Sequence, residues 1–252
     1  MNMKEIRNVA RDNMKGYCRV CPVCNGVACA GEVPGMGGSL TGSSFKSNVN
    51  DLAKVKLKLR TIHDAKNPDQ SFQFFGEKLD TPIMSATITG SKFNLGGALT
   101  EDEYIDSVVH GSLAAVTIAM IGDSAVPELY LSGLESLSKV DGKGVAILKP
   151  KGNKLVIESL KLAEEGKLIA AGMDIDGAGL ITMALMGAPV GPKTVEELKE
   201  IIASTNLPFI LKGVMTKEEA LLAVEVGAKA IVVSNHGGRL LDHAQTTAKV
   251  LA

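Results

Sequence analysis

The stretch "LPFILKGVMTKEEALLAVEVGAKAIVVSNHGGRLLD", residues 207–242, decides the fold. It opens on an apolar run, 207–213, interrupted by a single lysine, Lys212, near its end. "TKEEALLAVEVG" (216–227) follows with helical spacing, a Thr in the N-cap position and acidic residues in the first turn, where they complement the helix dipole. A second run, "AKAIVVS" (228–234), is β-branched and again apolar without alternation. Strands that are apolar at every position and alternate with helices are parallel strands buried on both faces. The second run ends in Asn235-His236-Gly237-Gly238-Arg239. Two glycines there let the backbone bend sharply, so that an imidazole and a guanidinium can converge.

The same unit recurs upstream. Apolar runs stand at "PIMSATI" (82–88), "AAVTIAM" (114–120), "GVAILKP" (144–150) and "AAGMDID" (170–176). Between the runs lie amphipathic stretches, three of them opened by Thr100, Thr194 and Thr216. A (β/α)8 barrel of the TIM type is favoured over an open doubly wound sheet. Polar, reactive residues gather at the C-terminal ends of the strands, and no Rossmann glycine turn follows the first one. About 80 residues precede the first barrel strand, and the remaining ~170 suffice for about six of eight units at roughly 30 residues each. The expected organisation is an N-terminal extension over residues 1–80 and a partial barrel over 81–252, cut short at the C-terminus. Unpaired edges on the first and sixth strands would then favour self-association into a homo-oligomer. Within the extension, "FQFFGEKL" (72–79) reads as a short strand or hairpin, and "GEVPGMGGSLTGSSF" (31–45) as a loop that covers something.

A net charge of −1 and a pI near 6.4 point to neither a nucleic-acid nor an anionic-membrane partner. Trp is absent, so a platform for stacking many bases is not expected. The longest apolar stretch, near 113–122, is too short to span a bilayer, and the cytoplasm is the default location. All four cysteines fall in "YCRVCPVCNGVAC": Cys18, Cys21, Cys24 and Cys29. Their C-x2-C-x2-C-x4-C spacing could offer four thiolates to an iron–sulfur cluster or to zinc, and Cys21-Pro-Val-Cys24 could be a redox dithiol. A reduced loop without metal is the simplest alternative, and no metal ligand is assigned.

Asp174 and Asp176 close the fourth run, Lys212 the fifth, and Ser234, His236 and Arg239 the sixth. In a parallel barrel these ends share one mouth. A carboxylate, a lysine, an imidazole and an arginine gathered there suit proton abstraction beside a substrate carboxylate. An arginine fork grips a carboxylate bidentately. Beside it, an aspartate steadies a basic imidazole, and a lysine faces a cofactor that becomes anionic on reduction.

Through "LKGVMTKEEALLAVEVGAKAIVVSNHGGRLLD" (211–242), "GMDID" (172–176) and "PIMSATITG" (82–90), the chain resembles the FMN-dependent 2-hydroxy-acid oxidases and dehydrogenases, such as glycolate oxidase and lactate oxidase. The resemblance implies FMN as cofactor and oxidation of a small 2-hydroxy acid to the 2-oxo acid. It further implies His236 as catalytic base, Asp176 as its partner and Arg239 on the substrate carboxylate. Lys212, Ser234 and the backbone of Ala86 would contact the flavin. Where the family pattern has a flavin-binding Gln and a substrate Tyr after the third strand, this chain has Lys149 and Lys151. Asp174 stands where many members have Thr. The family's phosphate-binding strand ends beyond the sixth unit do not occur in these 252 residues. Two alternatives are another FMN barrel, such as a type 2 isopentenyl diphosphate isomerase, and a non-catalytic protein whose cysteine segment binds metal.

Overall fold

The computed structural model describes residues 2–32 and 37–251; residues 33–36, inside the glycine-rich loop, lie outside the described residues. Helices α1 (Met3–Asn13) and α2 (Ser43–Lys54) precede a hairpin of β1 (Phe72–Phe74) and β2 (Glu77–Leu79), paired antiparallel as the aromatic-rich sequence predicts. The main body then runs α3 (Ser91–Asn94), α4 (Glu101–Ala114), β3 (Ala119–Gly122), α5 (Pro127–Ser138), β4 (Gly144–Leu148), α6 (Asn153–Glu165) and β5 (Ala170–Asp174). It continues with α7 (Ile181–Leu185), α8 (Val195–Ala203), β6 (Phe209–Lys212), α9 (Lys217–Glu225), β7 (Ala230–Val232) and α10 (Thr247–Leu251). Strands β3 to β7 form one parallel sheet in sequential order, each strand beside the one before it. That order is what repeated right-handed βα units build.

Five of the six expected strands are thus present. The segment 82–88 is the exception: it takes no regular secondary structure and joins no backbone ladder. Side chains tether it along β3 instead, with Thr117 Oγ1 donating to the Ile83 carbonyl at 2.6 Å and Met120 N donating to Ser85 Oγ at 3.3 Å. Strand β3 also starts later than the run 114–120, because Ala114 still closes α4 and Val116 takes a left-handed turn at φ 50°. The three threonines behave as expected. The side chains of Thr100, Thr194 and Thr216 accept from the backbone N–H groups of Glu103, Glu197 and Glu219, and the first two complete capping boxes.

Burial on both faces explains the unbroken hydrophobicity of the strands. One face, with Ile121, Leu148, Met173, Phe209 and Leu211, packs under the helices against Val109, Leu137, Leu160 and Ile201. The opposite face, with Val145, Ile147, Ala170 and Ile210, is covered by Phe74 and Phe75 of the hairpin. Each such fully buried aliphatic or aromatic side chain contributes about 1.5–3 kcal/mol relative to exposure. The hairpin therefore plugs the inner face, which leaves the C-terminal strand ends to carry polar groups.

Candidate active site

Register places the first polar contacts. Asp174, last residue of β5, lies opposite Lys212, last residue of β6, and Lys212 lies opposite Val232 of β7. Beyond β7 the chain turns through a 3₁₀ segment at His236–Gly238. His236, Gly237 and Gly238 all have positive φ, at 56°, 65° and 71°. Three successive left-handed residues reverse the chain abruptly, a conformation that costs a side-chain-bearing residue such as His236 energy and is tolerated where function demands it. Gly238 is needed for a second reason: a Cβ there would stand 2.6 Å from the backbone nitrogen of Phe45 and 2.8 Å from Ser44 Cβ. The N-terminal segment leans directly on the turn.

The turn delivers His236 to the two aspartates. Its Nδ1 stands 3.0 Å from Asp176 Oδ1 and 3.4 Å from Asp174 Oδ1. The second Asp176 oxygen accepts from Ser234 Oγ at 2.6 Å and from the His236 backbone N–H at 3.0 Å. Lys212 Nζ donates to Asp174 Oδ1 and to both Asp176 oxygens, the latter at 3.1 and 3.2 Å. Lys149 Nζ closes the group, 2.5 Å from Asp174 Oδ2. Burial by itself would raise the Asp174 carboxyl; the hydrogen bond from His236 and the charge of Lys149 outweigh it and hold Asp174 well below the usual carboxylate range. With the Nδ1–H directed at Asp176, Nε2 is the ring nitrogen not engaged by the two aspartates.

Among the described residues, Asp174, Asp176 and His236 are also the group of three metal-ligating side chains whose ligand atoms lie within 4.8 Å of one another. Lys149 and Lys212 pair with those carboxylates.

Of the residues singled out in the sequence, Asp176, Lys212, Ser234 and His236 therefore meet, together with Asp174. Ala86 is exposed in the segment beside β3, at the other edge of the sheet. Arg239 takes a different direction. Its Nη1 donates to the His236 carbonyl oxygen at 3.2 Å, and its side chain lines a cavity with Cys18, Cys21, Cys24 and Cys29. Burial pulls the guanidinium below its ordinary value. Asp123 was missed in the sequence. It stands just beyond β3, buried, and accepts from Lys149 N at 3.1 Å, Ser124 N at 2.7 Å and Lys151 Nζ at 2.8 Å. The signal was available in "AMIGDS": a charge following an apolar strand, as at Asp174.

Parallel βα units in sequential order, with a polar cluster at the strand ends, define the class of fold as the TIM-barrel type. Solved structures of mandelate oxidase share the fold. One with (S)-4-hydroxymandelic acid superposes with a TM-score of 0.75 at 21% identity, covering 98% of this chain and 74% of that one. Another, of a variant with 2-hydroxy-phenylacetamide, gives 0.74 at 24% identity, covering 98% and 72%. FMN-dependent dehydrogenase is the family that matches, over residues 36–98 and 163–252, and the chain belongs to it. Similar relatives include glycolate oxidase 1 of Oryza sativa subsp. indica, 36% identical over 82% of this chain and 64% of its own length. A 2-hydroxyacid oxidase of Dictyostelium discoideum is 30% identical over 82% and 60%. The L-lactate dehydrogenase (cytochrome) of Wickerhamomyces anomalus is 26% identical over 83% and 40%. The chain thus spans 40 to 64% of the length of these three relatives.

Proposed function

We propose that this chain carries the proton-transfer and cofactor-edge residues of an FMN-dependent oxidation of a small 2-hydroxy acid to the 2-oxo acid. The observation that carries it is the Asp176–His236 pair at 3.0 Å, built on the turn that follows β7 in a chain of this family. Bound FMN supplies the acceptor for the two electrons leaving the substrate. Lys212 and Ser234 fit its pyrimidine edge: Lys212 Nζ would provide a cation where charge develops on reduction and Ser234 a hydroxyl, while Ala86, beside β3, would approach the flavin from the other edge of the sheet.

His236 Nε2 would accept the proton of the substrate hydroxyl as the α-hydrogen leaves with its electron pair toward the flavin and the C–O bond becomes a carbonyl. Asp176 holds Nδ1 in place and stabilises the imidazolium that results. The family resemblance gives Arg239 the substrate carboxylate, which its planar fork suits; its Nη1 donates to the His236 carbonyl oxygen at 3.2 Å. Four free cysteines support a reducing compartment such as the cytoplasm, and no helix among the described residues is long and apolar enough to cross a membrane.

The test is anaerobic mixing of FMN-loaded protein with glycolate, (S)-lactate and (S)-mandelate while flavin absorbance is followed. Bleaching by at least one of them is expected, slowed about 10²- to 10⁴-fold in His236→Ala with FMN affinity retained. Bleaching at the same rate in that variant would remove His236 from the chemistry. Failure of all three acids to bleach bound flavin would overturn the activity.

A further inference from the structure

We infer that Cys18, Cys21, Cys24 and Cys29 ligate a four-iron iron–sulfur cluster in the cavity they share with Arg239. All four cysteines are free, and all four line one cavity of about 130 Å³ together with Arg19, Phe45 and Arg239. That volume exceeds what one water or one bare ion needs. Four thiolates are the ligand number of an iron–sulfur cluster, and three of these stand in the C-x2-C-x2-C run that ferredoxins use for a four-iron core, with Cys29 in the same cavity as the fourth.

Spacing separates the cluster from zinc. A tetrahedral zinc site with Zn–S bonds of about 2.3 Å brings its sulfurs to about 3.8 Å of one another. Among the described residues, no three of the four sulfurs lie within 4.8 Å of one another, so they are not arranged as a closed zinc tetrahedron. A polynuclear core fills such a gap. The walls suit its charge: four thiolates around an iron–sulfur core are anionic overall, and the Arg239 guanidinium borders the cavity beside the Arg19–Glu32 pair.

The segment is also held open for ligation. Residues 17–32 contain neither helix nor strand, and Val23 and Val27 are 67% and 63% exposed, so apolar burial does little to order them. Polar contacts fix the frame instead. Arg11 donates to the carbonyls of Arg19 at 3.1 Å and Val20 at 3.2 Å, and Arg19 grips Glu32 through two bonds. Val20 N–H already donates to Cys18 Sγ at 3.3 Å, the kind of contact that tunes a cluster sulfur. A cluster would replace the missing core of this loop, as metals do in small segments.

The full chain, prepared anaerobically and reconstituted with ferrous iron and sulfide, tests the inference. Expected are about four iron and four acid-labile sulfide per chain, a broad visible band that dithionite bleaches, and an electron paramagnetic resonance signal in the reduced protein. Cys24→Ser and Cys29→Ser should lose the band while far-ultraviolet circular dichroism stays at the wild-type level. The wild-type stoichiometry stands on its own if a variant fails to fold. Uptake of one zinc with no iron would overturn the cluster, as would a metal-free protein in which mild oxidation links Cys21 to Cys24. Unchanged iron in both serine variants would overturn these ligands. Iron is counted independently of FMN, so the outcome does not depend on the flavin chemistry proposed above.

Discussion

Asp174 illustrates how a buried charge is tolerated and what it costs. Its carboxylate, 2% exposed, is held by Lys149 on one oxygen and Lys212 on the other. Removing one partner of a buried pair is strongly destabilising, so Lys149→Met should lower unfolding free energy by about 3 kcal/mol in urea titrations. The pH dependence has a defined sign. Because the folded-state value lies below the ordinary one, the stabilisation is complete above about pH 4 and is lost as pH falls below it. The acid limb of the stability curve should accordingly be shallower in Lys149→Met than in wild type; equal limbs would mean that Asp174 does not titrate in this way. At Gly238 the constraint is steric. Gly238→Ala combines a φ of 71° with a contact at 2.6 Å to backbone, and should cost about 1–3 kcal/mol and lower the thermal midpoint.

Among the elements, α8 and α2 are capped by different routes. Thr194 and Glu197 form a local box for α8, so Thr194→Ala should cost about 1 kcal/mol without affecting substrate oxidation. Helix α2 begins after Gly42, which has no side chain to donate an oxygen. Asp242 supplies the acceptor from the far end of the chain, taking bonds from Thr41 N at 2.9 Å, Thr41 Oγ1 at 2.6 Å and Ser43 N at 2.9 Å. Those bonds, the Thr41 hydroxyl first, hold the Asp242 carboxyl below its usual range. Asp242→Asn should increase hydrogen exchange across residues 41–54, and wild type should show the same loosening only as pH falls below about 4. Unchanged exchange in the variant would show that α2 is held by its other contacts.

At the scale of the molecule, the sheet of the described residues has β7 at one edge, where Ile231 is 40% exposed. An apolar edge strand pairs readily with another chain. We expect concentration-dependent self-association in sedimentation experiments, weakened by Ile231→Lys; a monomer at all concentrations would contradict it. The N-terminal segment works in the other direction, covering the His236–Arg239 turn. Ser39 N donates to the Gly238 carbonyl at 2.9 Å, Ser44 Oγ to that of Leu241 at 2.8 Å, and Asn48 Nδ2 to Asn235 Oδ1 at 2.8 Å. The loop read from the sequence as a cover therefore rests, through Ser39 and Ser44, on the turn that carries His236.

The sequence by itself determined the repeating β/α architecture, the three threonine caps and the positions of Asp174, Asp176, Lys212, Ser234 and His236 at strand ends. These follow from hydrophobic periodicity and from contacts three or four residues apart, which a linear text records. It missed the loss of a ladder at 82–88, because whether an apolar run pairs depends on its neighbour and not on its own residues. It also missed Asp123 as the partner of Lys151 and the turn of Arg239 toward the cysteines. Only the tertiary structure decided those, because each joins residues from about 30 to more than 200 positions apart. Such contacts are chosen by how packed elements bring charges together in low dielectric, where an unpaired one is costly.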